Sequence, residues 1–175
     1  MRNLIILFFI IFYSTNIFAT KIFVIDVEKL INENINYKKF LEEIEKNQIN
    51  EKKELNLIEQ EIIDLQNEIE ESKLILDQNE INNLIENYNI KLNKFNILIE
   101  KYNLHYQNEI IKMRKIVLKE IVVLVEKYAK DNNIDIVLDS NNYLVASNTI
   151  NITEDIELKL KNLKLKLDLN KFEQN

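Results

Sequence analysis

Six apolar side chains, Ile90, Ile97, Leu104, Ile111, Leu118 and Val125, recur at every seventh residue along one stretch of the chain. The chemistry open to them is adhesion, since an exposed apolar stripe on a helix either packs against another subunit or holds other greasy surfaces. No reactive group competes with that reading. His105 is the single histidine, and with no Cys and no second His beside it there is no ligand set and no nucleophile–base pair. A helix-surface or interhelical role accounts for it. The missing cysteines rule out disulfides, thiolate nucleophiles and thiolate metal sites, and the missing glycines rule out a glycine-rich phosphate loop.

The carboxylates are equally quiet. Those on the helical stretch have lysine partners, as with Glu42 and Lys46 four residues apart, and read as a solvated face. Asp26 and Asp139 each close a predicted strand, where capping and turn roles explain them. Asn151-Ile152-Thr153 has the form of a glycosylation acceptor but is better explained as a helix start. No enzymatic activity, cofactor or metal is expected. A formal net charge of -6 gives no basic footprint for nucleic acid.

The stripe must be carried by a long helix. From about Glu28 to Lys130 the chain has no helix breaker and its apolar residues recur at helical spacing. Leu55, Ile58, Ile62, Leu65 and Ile69 form one seam, with Leu30, Tyr37, Leu41 and Ile44 before it and polar Gln48 and Glu51 between. Ile81, Ile85, Tyr88, Leu92, Phe95, Ile99, Tyr102 and Tyr106 form a second seam. It continues after a stutter as Ile110, Met113, Val117, Ile121, Leu124 and Tyr128. With Ile85 at position a, Ile90 falls at f, so the second helix has two apolar faces and a hairpin partner can cover only one.

The polar run Asp77-Gln78-Asn79 separates the seams and predicts the tip of an antiparallel hairpin with arms of roughly 75 Å each. One unbroken rod in an extended coiled coil is the rival. Because Gly and Pro are absent throughout and AT-rich codon usage explains that, positive periodicity carries more weight here than missing breakers.

Around the arms the sequence predicts a small body. Residues 1–19 have the layout of a cleaved secretory signal: Arg2, the apolar run Leu4–Phe12, then Ala19 before Thr20. Residues 20–27 form a first strand, 28–131 the hairpin, 132–168 two further strands and a helix, and 169–175 a polar tail. The strands are Ile134–Asp139 and Tyr143–Ser147, paired as a β-hairpin, and Thr153 caps the last helix, with Ile156, Leu160, Leu163 and Leu167 on one face. So small a sheet is marginal alone, so the body is expected to complete itself with other copies. Candidate oligomer-body residues are Ile22, Val24, Leu118, Val125, Ile136, Leu138, Leu144 and Ala146. Ile90, Ile97 and Leu104, further out, are candidate client contacts, with subunit packing equally open to them.

Lys21–Asp26 after a signal, the two arms, Ile134-Asp135-Ile136-Val137-Leu138-Asp139, Tyr143-Leu144-Val145-Ala146 and Asn151-Ile152-Thr153 before an amphipathic helix together resemble the Skp/OmpH family of periplasmic chaperones. The resemblance spans nearly the whole mature chain. It implies a mostly α fold with a small β body and a coiled-coil tentacle, assembled as a homotrimer. It also implies an ATP-independent holdase that keeps unfolded outer-membrane β-barrel proteins in a cavity between tentacles. A structural coiled-coil protein of the envelope, with its stripes satisfied by permanent partners, is the alternative. Well-known members have cationic tentacle ends, whereas Glu68, Glu70, Glu71, Asp77 and Glu80 face only Lys73 here. That acidic tip argues against lipopolysaccharide or anionic membrane contact.

Overall fold

The structure, a computed structural model, describes residues 19–173. The signal-like segment lies almost wholly outside the described residues. Strand β1 (Ile22–Ile25) leads into helix α1 (Val27–Glu33), and the long helices α2 (Ile35–Ser72) and α3 (Gln78–Asn132) follow. Strand β2 (Ile136–Asp139), two single 3-10 turns and helix α4 (Thr153–Lys161) complete the order. Among the described residues, no helix is long and apolar enough to cross a membrane.

α2 and α3 are antiparallel. Lys91 pairs with Glu61 at 3.1 Å, and Tyr106 donates to Glu51 Oε2 at 2.7 Å, so residues on the two helices advance in opposite directions. The chain reverses between Ser72 and Asp77, and the rod is excluded. Asp77 ends the reversal with a capping box: its Oδ1 accepts from the Asn79 and Glu80 N–H groups at 2.8 and 3.0 Å, and Glu80 Oε2 accepts from the Asp77 N–H at 3.2 Å. With 55 residues α3 is about 80 Å long. Asn133 closes it at φ 52, ψ 48, the left-handed cap that a chain without glycine must make with asparagine.

The sheet differs from expectation. β1 and β2 pair in parallel, Ile22 opposite Ile136 through Ile25 opposite Asp139, with the whole hairpin as their crossover. The predicted third strand is absent: 143–147 is irregular, and Leu144 is 101% exposed. The far side of β1 is taken instead by Asn151 and Ile152, through a bridge to Val24 and a 2.9 Å bond from the Ile152 N–H to the Val24 carbonyl. β1 thus has neighbours on both sides, while the outer edge of β2 is left without a strand among the described residues.

Three further expectations change. The first arm is two helices, because Asn34 adopts φ -63, ψ 123 and its side chain accepts from the Asn36 and Tyr37 N–H groups. That cap resets the helical phase, and Phe40, 2% exposed, is buried beside Tyr37 and Ile44, while Leu41 is 37% exposed. At the tip end of α3 Ile85 is likewise exposed and Leu84 half-buried. The last helix stops at Lys161, not near 168.

Thr153 is not the cap but the first residue of α4, and its hydroxyl does more. It donates to Asn151 Oδ1 at 2.6 Å and accepts the Asp26 N–H at 2.9 Å, tying β1 to α4. Asp26 caps α1 through Lys29 at 2.9 Å, and Asp139 Oδ1 accepts the Val27 N–H at 3.1 Å. Burial alone would raise the Asp139 carboxyl, but hydrogen bonds from Val27, Asn141 and Ser140 hold it below its usual range. Thr153→Val is expected to cost about 1 kcal/mol by stranding the half-buried Asp26 N–H. The check is a lower urea midpoint at unchanged slope.

Candidate apolar surface and arm groove

The seven-residue stripe lies where the helical period puts it, on the side of α3 turned away from α2. Ile90, Ile97, Leu104, Ile111 and Leu118 are exposed, Ile97 at 54%, while Val125 is half-buried against the core at the body end. Lys94 and Lys101 border a shallow depression over Ile97 and Leu98, giving this part of the stripe a cationic rim although the tip is acidic.

The candidate body residues divide. Ile22, Ile136 and Leu144 are exposed, and Leu138 and Ala146 are half-buried. Val24, 2% exposed, is consumed by the chain's own core.

The polar interruption of the first seam is answered from across the hairpin. Glu51 receives the Tyr106 hydroxyl, and burial together with that bond and the Glu51 charge pushes the Tyr106 phenol well above its ordinary value. Beside it the Tyr102 hydroxyl is buried without a partner among the described residues. Burial first, and Glu51 second, raise its phenol also. Arg114 pairs with Glu28 and fastens α1 to α3.

A feature missed in the sequence runs along this same region. Residues 163–172, expected as the end of a helix and a polar tail, form an extended strap on the hairpin. Leu163, Leu165, Leu167, Leu169 and Phe172 are half-buried against the core. The Asn36 side chain donates to the Leu163 carbonyl at 3.5 Å, and His105 Nε2 lies 2.9 Å from the Asn170 carbonyl. Glu109 accepts from the Asn170 N–H at 3.3 Å and from its side-chain amide at 3.1 Å. Phe172 meets Tyr102 edge-on at 5.6 Å and His105 at 5.5 Å. The signal was present: Leu163-Lys164-Leu165-Lys166-Leu167-Asp168-Leu169 alternates with period two, which predicts extended chain.

Burial alone would raise the Glu109 carboxyl, but the Asn170 bonds, with Lys112 at 3.3 Å, hold it below the usual carboxylate range. A depressed folded value means that this contribution is complete above the unfolded carboxyl value, about 4.3, and is lost as pH falls through the folded one. Contacts between the Phe172 and Tyr102 rings, followed by nuclear Overhauser effects, should therefore hold at neutral pH and fade below about pH 4. In Glu109→Gln they should be weaker throughout and lose that acid step. Contacts of wild-type strength in the variant would remove Glu109 as the anchor.

A long helical hairpin on a small parallel sheet, with an apolar stripe exposed along α3, places the chain among helical-hairpin proteins built on a small sheet. The chain belongs to the OmpH-like family: the family model described as outer membrane protein (OmpH-like) matches residues 21–160. Among solved structures it is similar to an OmpH-like protein from Caulobacter crescentus CB15, described as an outer membrane chaperone. The match has a TM-score of 0.62 and 13% identity, and covers 90% of this chain and 94% of that one. No curated protein sequence gives a significant match.

Proposed function

We propose that this chain is an ATP-independent periplasmic holdase, exported through a cleaved N-terminal signal. It assembles as a homotrimer and keeps unfolded outer-membrane β-barrel proteins from aggregating in a cavity between its hairpins. Membership of the OmpH-like family and the chaperone description of the Caulobacter protein support the chaperone class. The observation that carries the reading is the run Ile90, Ile97 and Leu104, exposed on α3 where the hairpin partner does not reach. Holding many clients needs apolar contacts that are numerous, weak and adaptable, and an uncovered helical stripe supplies them.

The exposed Ile22 and Ile136 support self-association, because a two-stranded sheet leaves them uncovered, and the exposed Leu144 beside it adds to that surface. The test is light scattering of an unfolded β-barrel protein diluted from denaturant, with and without the mature chain, alongside the chain's mass in solution. A trimer that suppresses scattering at stoichiometric amounts without ATP is the expected result. An oligomer with no effect would make the protein a structural coiled coil, and a folded monomer would defeat the argument from the undersized body.

A further inference from the structure

The strap occupies a groove in a manner that any extended polypeptide could copy. Three of its four anchoring hydrogen bonds use its main chain: Asn36 to the Leu163 carbonyl, Glu109 to the Asn170 N–H, and His105 to the Asn170 carbonyl. Main-chain recognition is indifferent to sequence, and alternate side chains supply the apolar contacts. Among the described residues, the strap's main chain from Lys164 onward forms no backbone–backbone hydrogen bond, so no sheet holds it in place. Its apolar side chains are only half-buried. The segment also lies beyond the part of the chain matched by the family, which ends at residue 160.

Apolar and polar residues alternate over the eight positions Leu163–Asn170 of the strap, and alternation over about ten residues is also the signature of one strand of an outer-membrane β-barrel. The strap therefore has the pattern of the client class proposed above. We propose that residues 163–172 are a built-in stand-in for client: they fill a docking groove for extended, alternating polypeptide on the α2–α3 arm and are displaced when such a segment of an unfolded β-barrel protein binds. The client class rests on the holdase reading; the existence of the groove does not. Tethered at an effective concentration on the order of mM, the strap shields the groove from weak ligands and yields to clients that engage the stripe as well.

The test uses a labelled peptide of residues 162–173 and a scrambled peptide without alternation, against three forms of the full mature chain. One is the wild type. In the second, Leu167→Asp with Phe172→Asp detaches the strap. In the third, His105→Cys with Phe172→Cys locks it when oxidised and frees it when reduced, a pair made unique by the absence of native cysteine. The detached form is expected to bind the alternating peptide at least tenfold tighter than the wild type. The locked form should bind it at least tenfold more weakly than the same protein reduced, and unfolded β-barrel protein should displace the peptide.

Equal peptide binding by locked and reduced forms, or equal binding of the scrambled peptide, overturns the groove. Client held equally by locked and reduced forms without displacing peptide overturns the stand-in role and leaves the holdase reading intact. Peptide binding that follows the strap's state while no form holds client overturns the holdase reading and supports the groove.

Discussion

Ile97→Asp and Leu104→Asp introduced together are expected to leave fold and assembly intact and to abolish most client holding. Both side chains are exposed in the chain, about two helical turns apart on the stripe, so their replacement costs the fold little. In a client complex they are expected to be covered. Losing about 1.5–3 kcal/mol for each buried aliphatic side chain, and adding two charges to the contact, amounts to a loss of tenfold or much more. Adaptable binding elsewhere on the stripe sets the smaller figure. Sedimentation and light scattering read the two properties separately. Unchanged holding and assembly would show that the stripe has no function, and lost assembly would place it between subunits.

Where one helix packs on one partner, the apolar period located the element and its buried face. Leu55, Ile62 and Ile69 on α2, and Tyr102, Met113, Val117 and Ile121 on α3, are buried as their spacing requires. Asp77 starts α3 and Asn133 ends it by chemistry legible in a few residues. The seven-residue stripe could be seen because exposure on a helix is periodic too.

The failures occur where a third layer intervenes. Phe40 is buried instead of Leu41 because α2 starts afresh at Asn34 and because the strap covers this side of the arm: Phe40 lines one crevice with Leu165 and Leu167. Glu109 is buried on α3 because the strap's Asn170 meets it, and no helical repeat could anticipate a carboxylate there. Tyr143–Ala146 has strand composition yet forms no strand, and the second neighbour of β1 is Asn151 and Ile152, a hundred and more residues away in sequence. The strap shows a choice of period: Leu160, Leu163 and Leu167 fit a helix, but Leu165 and Leu169 fit only alternation.

Phe40→Ala is expected to be the most damaging single truncation in the arm. The ring is among the largest fully buried side chains, stacked near Tyr37 at 6.2 Å, within the core that joins the body, both arms and the strap. Truncating a buried Phe costs about 3–5 kcal/mol, through lost apolar transfer and the cavity left behind. Against a total stability of about 5–15 kcal/mol for an ordinary domain, that is about a fifth or more of what holds the fold. Leu41→Ala is the paired control. The two residues are neighbours in sequence, and a heptad frame extrapolated from Leu30 would make Leu41 the costly one. Because Leu41 faces outward, its truncation should cost about 0.5 kcal/mol or less. Denaturant midpoints of both variants, measured at one protein concentration to hold assembly constant, decide the matter. A larger loss in Leu41→Ala would mean that the arm keeps its coiled-coil phase through Asn34, and that the strap does not sit where the burial of Phe40 requires it.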